Sequence, residues 1–264
     1  MIKYYDKRNN RLVFTGNSAS SQFWDSHWSK GDIPEFIKAS NNPFIMENTK
    51  RYLPRGSKIL EGGCGRGEKV YALQADGYDA YGVDFAEETV NTTKRSFPDL
   101  KIFFGDVRHL EFDDSFFDGY WSLGVIEHFF EGYERILQEM YRVLRRDGYL
   151  FMTVPAMSRL RRFKAKIGMY RAFEDGSPCM DDFYQFAMAQ EDVIGRFNLK
   201  GFELIELHPY DGIKGLKDEI ALLRPPLQWV YENTSFISNV TRRGIDRMTR
   251  HFANHMVFYI FRKR

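Results

Sequence analysis

The sequence has few of the features that mark secreted, membrane-spanning or repetitive proteins. Its two cysteines, Cys64 and Cys179, are too few for a disulfide framework, and their spacing suits no zinc site. No run approaches the ~18 apolar residues that a membrane-crossing helix needs, and the first residues lack the apolar stretch of a signal peptide. Fixed-period repeats and low-complexity tracts are also missing. These absences favour a cytoplasmic globular protein.

Charge of one sign is equally scarce, because 38 Lys and Arg residues balance 36 Asp and Glu residues to a net charge of +2. The composition therefore makes nucleic acid an unlikely partner. Aromatic residues, in contrast, are abundant at 16% of the 264 residues. A chain of this length can bury a large core as one domain.

From Lys58 onward, short apolar runs alternate with helical stretches. Such alternation predicts an α/β protein with a parallel sheet that helices cover on both faces. A helix is also expected at 34–52, before the alternation begins. The predicted strands are 58–61, 80–84, 102–104, 117–123, 149–154, 202–207 and 256–261, and the predicted helices between them are 68–75, 86–96 and 133–144.

A glycine-dense turn joins the first of these strands to its helix. Glu61 is followed by Gly63, Gly65 and Gly67, and glycines let a ligand approach the backbone beside the free N–H groups of the helix N-terminus. The dinucleotide fingerprint would need glycine where the chain has Glu68. The spacing therefore departs from that fingerprint.

Acidic residues follow the next two strands at the same edge of the sheet. Asp84 ends the second strand, where a carboxylate can accept both ribose hydroxyls, and Asp106 follows the third, where it can accept from an adenine amino group. Arg66 is the one basic residue near the turn that could hold a phosphate. A nucleoside without a phosphate chain therefore fits better than a dinucleotide.

These motifs resemble those of the class I S-adenosylmethionine-dependent methyltransferases over about residues 55–155. The glycine turn from Glu61 is similar to the family's first motif, Asp84 to its ribose carboxylate, and residues 105–107 to its adenine segment. Residues 124–128, Gly-Val-Ile-Glu-His, resemble the fourth-strand motif of small-molecule members. In the following helix-to-strand turn, Tyr149 replaces the second of two usual glycines.

The resemblance implies a Rossmann-like fold, with a seven-stranded, mostly parallel sheet whose last strand is antiparallel. It implies S-adenosylmethionine as cofactor and no required metal ion. One domain, 1–264, would comprise an N-terminal cap segment (1–57), a cofactor-binding core (58–155) and helical lid insertions (156–200 and 210–253). The expected cofactor-binding residues are Glu61, Gly63, Cys64, Gly65, Gly67, Asp84, Phe85, Asp106, Val107 and Leu123.

His128 and Glu127 are the candidate catalytic residues, because they follow the fourth strand and should face the pocket. An imidazole titrates near neutrality and can take a proton from an acceptor hydroxyl. The alternative is that His128 only hydrogen-bonds locally and that Glu127 only positions other groups. For Cys64, a helix N-terminus could activate the thiol, but the resemblance makes it a small residue beside the cofactor.

Trp24 and Trp28 lie four residues apart and should share one face of a helix. They either close over cofactor and acceptor, as an N-terminal aromatic segment does in related enzymes, or pack this segment onto the sheet. Both interpretations stay open.

The insertion after the fifth strand predicts a basic amphipathic helix. Leu160, Phe163, Ile167 and Tyr170 form an apolar stripe among basic residues, and Arg242, Arg243, Arg247 and Arg250 fit a second basic helix. Such a helix can contact an anionic membrane or an anionic acceptor, or it can pack as a lid with solvated cations. By position alone, the insertion resembles the lipid-contacting segment of ubiquinone-pathway O-methyltransferases.

The sequence therefore predicts a methyltransferase that acts on a small or lipid-linked acceptor, at oxygen rather than at nitrogen or carbon. It would be cytoplasmic, with a peripheral contact at the inner membrane face as a further expectation. The alternatives are an RNA methyltransferase and a non-catalytic regulatory protein that binds S-adenosylmethionine.

Overall fold

The computed structural model describes residues 1–29, 31–40, 42–174, 182–233 and 235–264, without the side chains of residues 236, 237 and 239. Cys179 lies outside the described residues. Within them, the strands form a seven-stranded and a four-stranded sheet. The large sheet consists of β3 (Lys58–Gly62), β4 (Asp79–Asp84), β5 (Ile102–Phe104), β6 (Phe117–Leu123), β7 (Leu144–Pro155), β10 (Phe202–Tyr210) and β11 (Met256–Lys263).

The strand order of the large sheet is β10-β11-β7-β6-β3-β4-β5. The strands from β3 to β7 pair in parallel, whereas β11 pairs antiparallel to both β7 and β10. This topology confirms the predicted class I methyltransferase fold. The order reverses at β3 and β6, and the crevice beyond the carboxyl ends of such strands is where open α/β sheets bind ligands.

Helices cover the sheet because each presents an apolar stripe to it. In α6 (Glu134–Val143), the side chains of Ile136, Met140 and Val143 recur at helical spacing and are fully buried. Helices α4 (Glu68–Ala75), α5 (Glu87–Ser96) and α6 follow β3, β4 and β6, and α8 (Gln190–Lys200) precedes β10.

The N-terminal segment contains a β-hairpin that the sequence analysis missed. Strands β1 (Ile2–Asp6) and β2 (Arg11–Thr15) pair antiparallel, and they join β8 (Arg171–Ala172) and β9 (Phe183–Ala187) in the order β8-β1-β2-β9. The predicted cap segment and the first predicted lid insertion therefore share one small sheet. That pairing joins distant parts of the chain, so local patterns do not reveal it.

The helix expected at 34–52 is instead two helices. Helix α2 (Ile33–Ala39) follows an N-cap in which Asp32 accepts from the backbone N–H of Glu35 at 2.7 Å. Helix α3 (Pro43–Tyr52) begins at a proline, which has no backbone N–H to donate and is therefore tolerated at a helix start. Pro43 thus separates the two helices.

The helix of the basic insertion is shorter than the predicted apolar stripe. Helix α7 (Arg159–Lys166) ends before Ile167, and Phe163 and Ile167 are 56% and 53% exposed. Arg161 is fully buried, where its guanidinium forms an ion pair with Glu219 at 3.0 Å. The cations of α7 therefore hold the insertion onto the protein, and Arg161 is not available to a membrane.

The second insertion forms three helices, α9 (Gly212–Glu219), α10 (Arg224–Glu232) and α11 (Phe236–Ala253). Helix α11 carries all four arginines of the second predicted basic helix. Among the described residues, no helix combines the length and the apolar character that crossing a membrane requires.

Candidate functional site

The glycine turn lies between β3 and α4, where the chain needs backbone conformations that other residues rarely adopt. Gly63, Gly65 and Gly67 have φ angles of +77°, +51° and +78°. A Cβ atom on Gly65 would lie 3.0 Å from the ring of Trp28, which packs on the turn. The glycines thus allow both the tight turn and the close approach of the N-terminal segment.

Asp84 ends β4 beside this turn, and its carboxylate is held by backbone groups. One oxygen accepts from Gly65 N at 2.7 Å and the other from Ala86 N at 2.9 Å. Burial raises the pKa of Asp84, and these hydrogen bonds oppose that shift. Since each carboxylate oxygen has two lone pairs, each can accept one further hydrogen bond.

A cavity of about 590 Å³ opens at the carboxyl ends of β3, β4 and β6. Its volume is within the usual range for a small-molecule site. Nine of the residues expected in the site line it: Trp24, Trp28, Gly63, Asp84, Phe85, Asp106, Val107, Leu123 and His128.

Five other expected site residues, Glu61, Cys64, Gly65, Gly67 and Glu127, are not part of this lining. Glu61 is 1% exposed, lies 3.4 Å from Lys69 Nζ, and accepts no hydrogen bond from the described residues. Cys64 is buried, and burial raises the pKa of its thiol well above the usual value. Because reactivity requires the thiolate, this shift favours a packing role for Cys64 over a nucleophilic one.

Asp106 lines the cavity, but its carboxylate already has a partner. Arg108 donates to Oδ2 at 2.9 Å from Nε and 2.6 Å from Nη2, and to Oδ1 at 3.0 Å from Nε. An adenine amino group would therefore share this carboxylate with Arg108. The sequence analysis missed Arg108, although its position two residues after Asp106 in a turn was the available signal.

His128 lies in a short helical turn after β6 and lines the same cavity as Asp84 and Asp106. Its Nδ1 is 2.7 Å from the carbonyl oxygen of Tyr184 in β9. Because a carbonyl can only accept, Nδ1 carries the proton and Nε2 has a free lone pair. Burial lowers the pKa of His128 to about 4, so the imidazole is neutral near pH 7.

Glu127 is 2% exposed and packs behind Gly124, with Oε1 3.4 Å from the position of a Cβ on that glycine. Its Oε2 accepts no hydrogen bond from the described residues. Burial raises the pKa of Glu127 to about 8, so the carboxyl is mostly protonated at neutral pH. Tyr184 and Tyr210 are close enough for its charge to raise their pKa values as well.

Helix α1 (Ser21–Trp28) covers the cavity and is anchored to the core. Asp25 accepts from both N and Oγ1 of Thr89, at 3.0 and 2.9 Å, which ties α1 to α5. The rings of Trp24 and Trp28 are stacked at 6.2 Å, and the ring of Trp24 lies 5.0 Å from that of His128. The two tryptophans thus share one helix face, and that face is turned toward the cavity.

The lining residues fit a nucleoside cofactor. Asp84 retains acceptor capacity where a ribose would lie, and the backbone of Gly63 is accessible from the cavity. Arg66 donates from Nε to the carbonyl oxygen of Trp28 at 2.6 Å and is not part of the lining. The one predicted phosphate-binding residue therefore faces the N-terminal helix.

Comparisons with known proteins agree with this geometry. The family described as "Methyltransferase domain" matches residues 60–152. A probable S-adenosylmethionine-dependent methyltransferase of Mycolicibacterium smegmatis is 29% identical over 100 residues, which are 38% of each chain. An S-adenosyl-L-methionine-dependent Diels-Alderase of Talaromyces variabilis is 28% identical over 157 residues, which are 55% of this chain and 52% of that protein.

The chain therefore spans about half, or less, of the length of these curated relatives. A solved structure of a methyltransferase from Thermotoga maritima, described as a possible histamine N-methyltransferase, has a TM-score of 0.55 and 17% identity. The alignment covers 92% of this chain and 98% of that one, so it supports the fold over nearly the whole length. Residues 60–152 thus match a methyltransferase domain, and the sheet topology is that of the class I S-adenosylmethionine-dependent methyltransferase fold.

Proposed function

We propose that the protein transfers a methyl group from S-adenosylmethionine to a hydroxyl of a small acceptor bound beside His128. The observation that carries this proposal is one cavity that Asp84, Asp106 and His128 line together. A cofactor at the two aspartates and an acceptor near the imidazole would occupy the same enclosed space. Proximity of this kind is the main contribution that an enzyme makes to a displacement reaction.

When bound, S-adenosylmethionine supplies an activated methyl group. The protein's part is to hold and orient the reactants. Asp84 can accept from ribose hydroxyls, while Trp24 and Trp28 exclude water from above. His128 can take the proton of an acceptor hydroxyl at Nε2, because the Tyr184 carbonyl holds the proton of Nδ1 in place. A hydroxyl loses a proton on methylation, so a neutral imidazole with a free lone pair favours an oxygen acceptor.

Glu127 is proposed as a positioning residue. It is buried behind Gly124 and is not part of the cavity lining. Its carboxyl adjoins Tyr184 and Tyr210 rather than an acceptor position. Its protonation would therefore affect the reaction through the placement of these neighbours.

The relative named as a Diels-Alderase introduces a second candidate function, in which the cofactor-binding fold serves a reaction other than methyl transfer. The aromatic lining formed by Trp24, Trp28, Phe129 and Phe130 is compatible with an apolar substrate. Formation of S-adenosylhomocysteine distinguishes the two, because methyl transfer produces it in equal amount with the product.

The experiment is an acceptor screen with methyl-labelled S-adenosylmethionine and phenolic, sugar and amine compounds. We expect labelled product and S-adenosylhomocysteine in equal amounts from a hydroxyl compound, and a large loss of turnover in His128→Gln. His251→Gln is the matched control, because His251 is exposed on α11 and outside the cavity lining. Product formed without S-adenosylhomocysteine would instead support the second function.

We also propose that any contact with an anionic membrane involves α10 and α11 rather than α7. Helix α11 has exposed Arg243 and Arg247 beside Met248, which is 84% exposed, and α10 exposes 64% of Trp229. Exposed apolar and basic side chains together suit a membrane interface. Arg243→Glu with Arg247→Glu should abolish sedimentation with anionic vesicles, and Arg146→Glu should not; equal binding of both variants would reject this surface.

A further inference from the structure

A second cavity, of about 520 Å³, lies beside β9 and outside the site described above. Tyr184 connects the two, because its ring lines the second cavity and lies 5.1 Å from the ring of His128. The charged and titratable residues that line the second cavity are Lys3, Lys214, Asp218, Arg224 and His255. Three cations thus face one carboxylate.

The wall of this cavity is rich in positive charge. His255 lies between two cations, with Nδ1 3.1 Å from Nη2 of Arg161 and Nε2 2.7 Å from Nζ of Lys214. Burial, together with Arg161 and Lys214, lowers the pKa of His255 well below its usual value. Burial also lowers the pKa values of Lys3 and Lys214. The imidazole is therefore neutral and supplies no countercharge.

The nearby carboxylates are already engaged. Glu219 is within 3.0 Å of Lys3, Arg161 and Lys164. Asp218 lies 3.2 Å from Lys214. Asp211 also acts on Lys214, but burial raises its own pKa. The carboxylates thus leave part of the positive charge at this cavity without a partner.

Among the cations that line this cavity, Arg224 has the most hydrogen-bond donors that are not already used. It is exposed at the start of α10, and its guanidinium forms no hydrogen bond or ion pair with the residues that the structure describes. Its guanidinium has five donors in a planar arrangement that matches phosphate oxygens. Lys3 and Lys214 reach the same cavity from β1 and α9.

We propose that this cavity binds a phosphate group, with Arg224, Lys214 and Lys3 as its ligands. Cations from three secondary-structure elements can pair with the several oxygens of a phosphate. Hydrogen bonds between charged groups are stronger than those between neutral groups. The bound dianion also adds countercharge where the cations outnumber the nearby carboxylates. The site does not depend on the proposed methyl transfer, because it involves other residues and a separate cavity.

Equilibrium dialysis with labelled inorganic phosphate tests the proposal on the full chain. We expect saturable binding of one phosphate per chain, weakened at least tenfold in Arg224→Gln and in Lys214→Gln. Arg146→Gln is the matched control, because Arg146 is exposed in β7 and is not part of the cavity lining. Unchanged melting temperature and S-adenosylhomocysteine affinity would show that the variants are folded.

Absence of phosphate binding in the wild type, or equal binding in Arg224→Gln and Arg146→Gln, would overturn the proposal. Vesicles that contain phosphatidylglycerol identify the source of the phosphate. If they displace labelled phosphate from the wild type, the site takes a lipid headgroup; if they do not, it takes a soluble phosphate or phosphate ester. Both of these results support the site, and neither depends on methyl transfer.

Discussion

Two buried glutamates, Glu127 beside the candidate active site and Glu219 beneath the lid helices, have opposite charge states. Glu127 is 2% exposed, its Oε2 has no hydrogen-bond donor among the described residues, and burial raises its pKa to about 8. Glu219 is 6% exposed; burial alone would raise its pKa, but Arg161 and neighbouring lysines lower it to about 2. Similar burial thus yields a neutral acid in one place and a carboxylate in the other.

The region around Glu127 can therefore exchange protons, whereas the region around Glu219 holds secondary-structure elements together. Glu219 joins β1, α7 and α9 through Lys3, Arg161 and Lys164, and it also accepts from the Tyr170 hydroxyl at 2.7 Å. Glu127 ties no cation to the site. A region with few partners can change its protonation at low cost, whereas a densely paired one cannot.

Among the tests of this comparison, Glu219→Gln should have the largest effect, a loss of stability. The amide leaves three cations without their shared countercharge, and breaking a buried ion pair costs about 3–5 kcal/mol of unfolding free energy. Urea denaturation at pH 7 measures this loss. Glu127→Gln is the matched control, with an expected loss below about 1 kcal/mol, because the glutamate is already mostly neutral. Equal losses in both variants would contradict the assignment of charge states.

His128→Ala should have the next largest effect, a fall in kcat of about a hundredfold, which is the lower range for loss of a general base. Cofactor affinity should stay unchanged, because His128 is proposed to contact the acceptor and not the cofactor. Since its pKa is about 4, the wild-type rate should not fall at pH 6–7 through protonation of this imidazole. Full activity of the variant would remove His128 from the base role.

Asp84→Ala should weaken binding of S-adenosylhomocysteine about tenfold or more. A buried ribose would lose a charged acceptor, which contributes ~1.5–3 kcal/mol. Isothermal titration calorimetry measures the dissociation constant, with Asp79→Ala as the control at the opposite end of the same strand. Unchanged affinity would exclude Asp84 from the ribose role.

The smallest effect concerns the pH dependence of stability. The folded pKa of Glu127 is raised from 4.5 to about 8, so its contribution is present below pH 4.5 and is lost as pH rises through 8. The folded pKa of Glu219 is depressed from 4.5 to about 2, so its contribution is present above pH 4.5 and is lost as pH falls toward 2. The melting-temperature difference between wild type and Glu127→Gln should therefore change above pH 4.5, and that between wild type and Glu219→Gln should change below pH 4.5. The same pH dependence in both variants would contradict the two pKa shifts.

Local sequence predicted the core of the fold well. The helix at 68–75 and the strands at 102–104 and 117–123 have the predicted bounds. Their apolar spacing and the flanking glycines act within a few residues, so a pattern along the chain records them. The hairpin of β1 and β2 was missed, because its place in a sheet depends on pairing with distant β9. The break before Pro43 was missed, because it depends on how one proline ends an otherwise helical stretch.

The residues of the candidate site were likewise predicted only in part. Nine expected residues line the cavity, whereas Arg108 was missed and Cys64 is a buried thiol outside the lining. Helix α7 ends before Ile167, so only part of the predicted stripe lies on a helix. Helical spacing shows which residues share a face but not what that face meets.

By itself, the sequence determined the order of strands and helices, the glycine turn and the acidic residues that follow the strands, because each depends on neighbours along the chain. Only the tertiary structure decided the charge states and partners. His128 meets the carbonyl of a residue 56 positions away, and Lys3 meets Glu219 across 216 positions. Burial and such distant contacts set the pKa values of these groups, and neither is visible in local sequence.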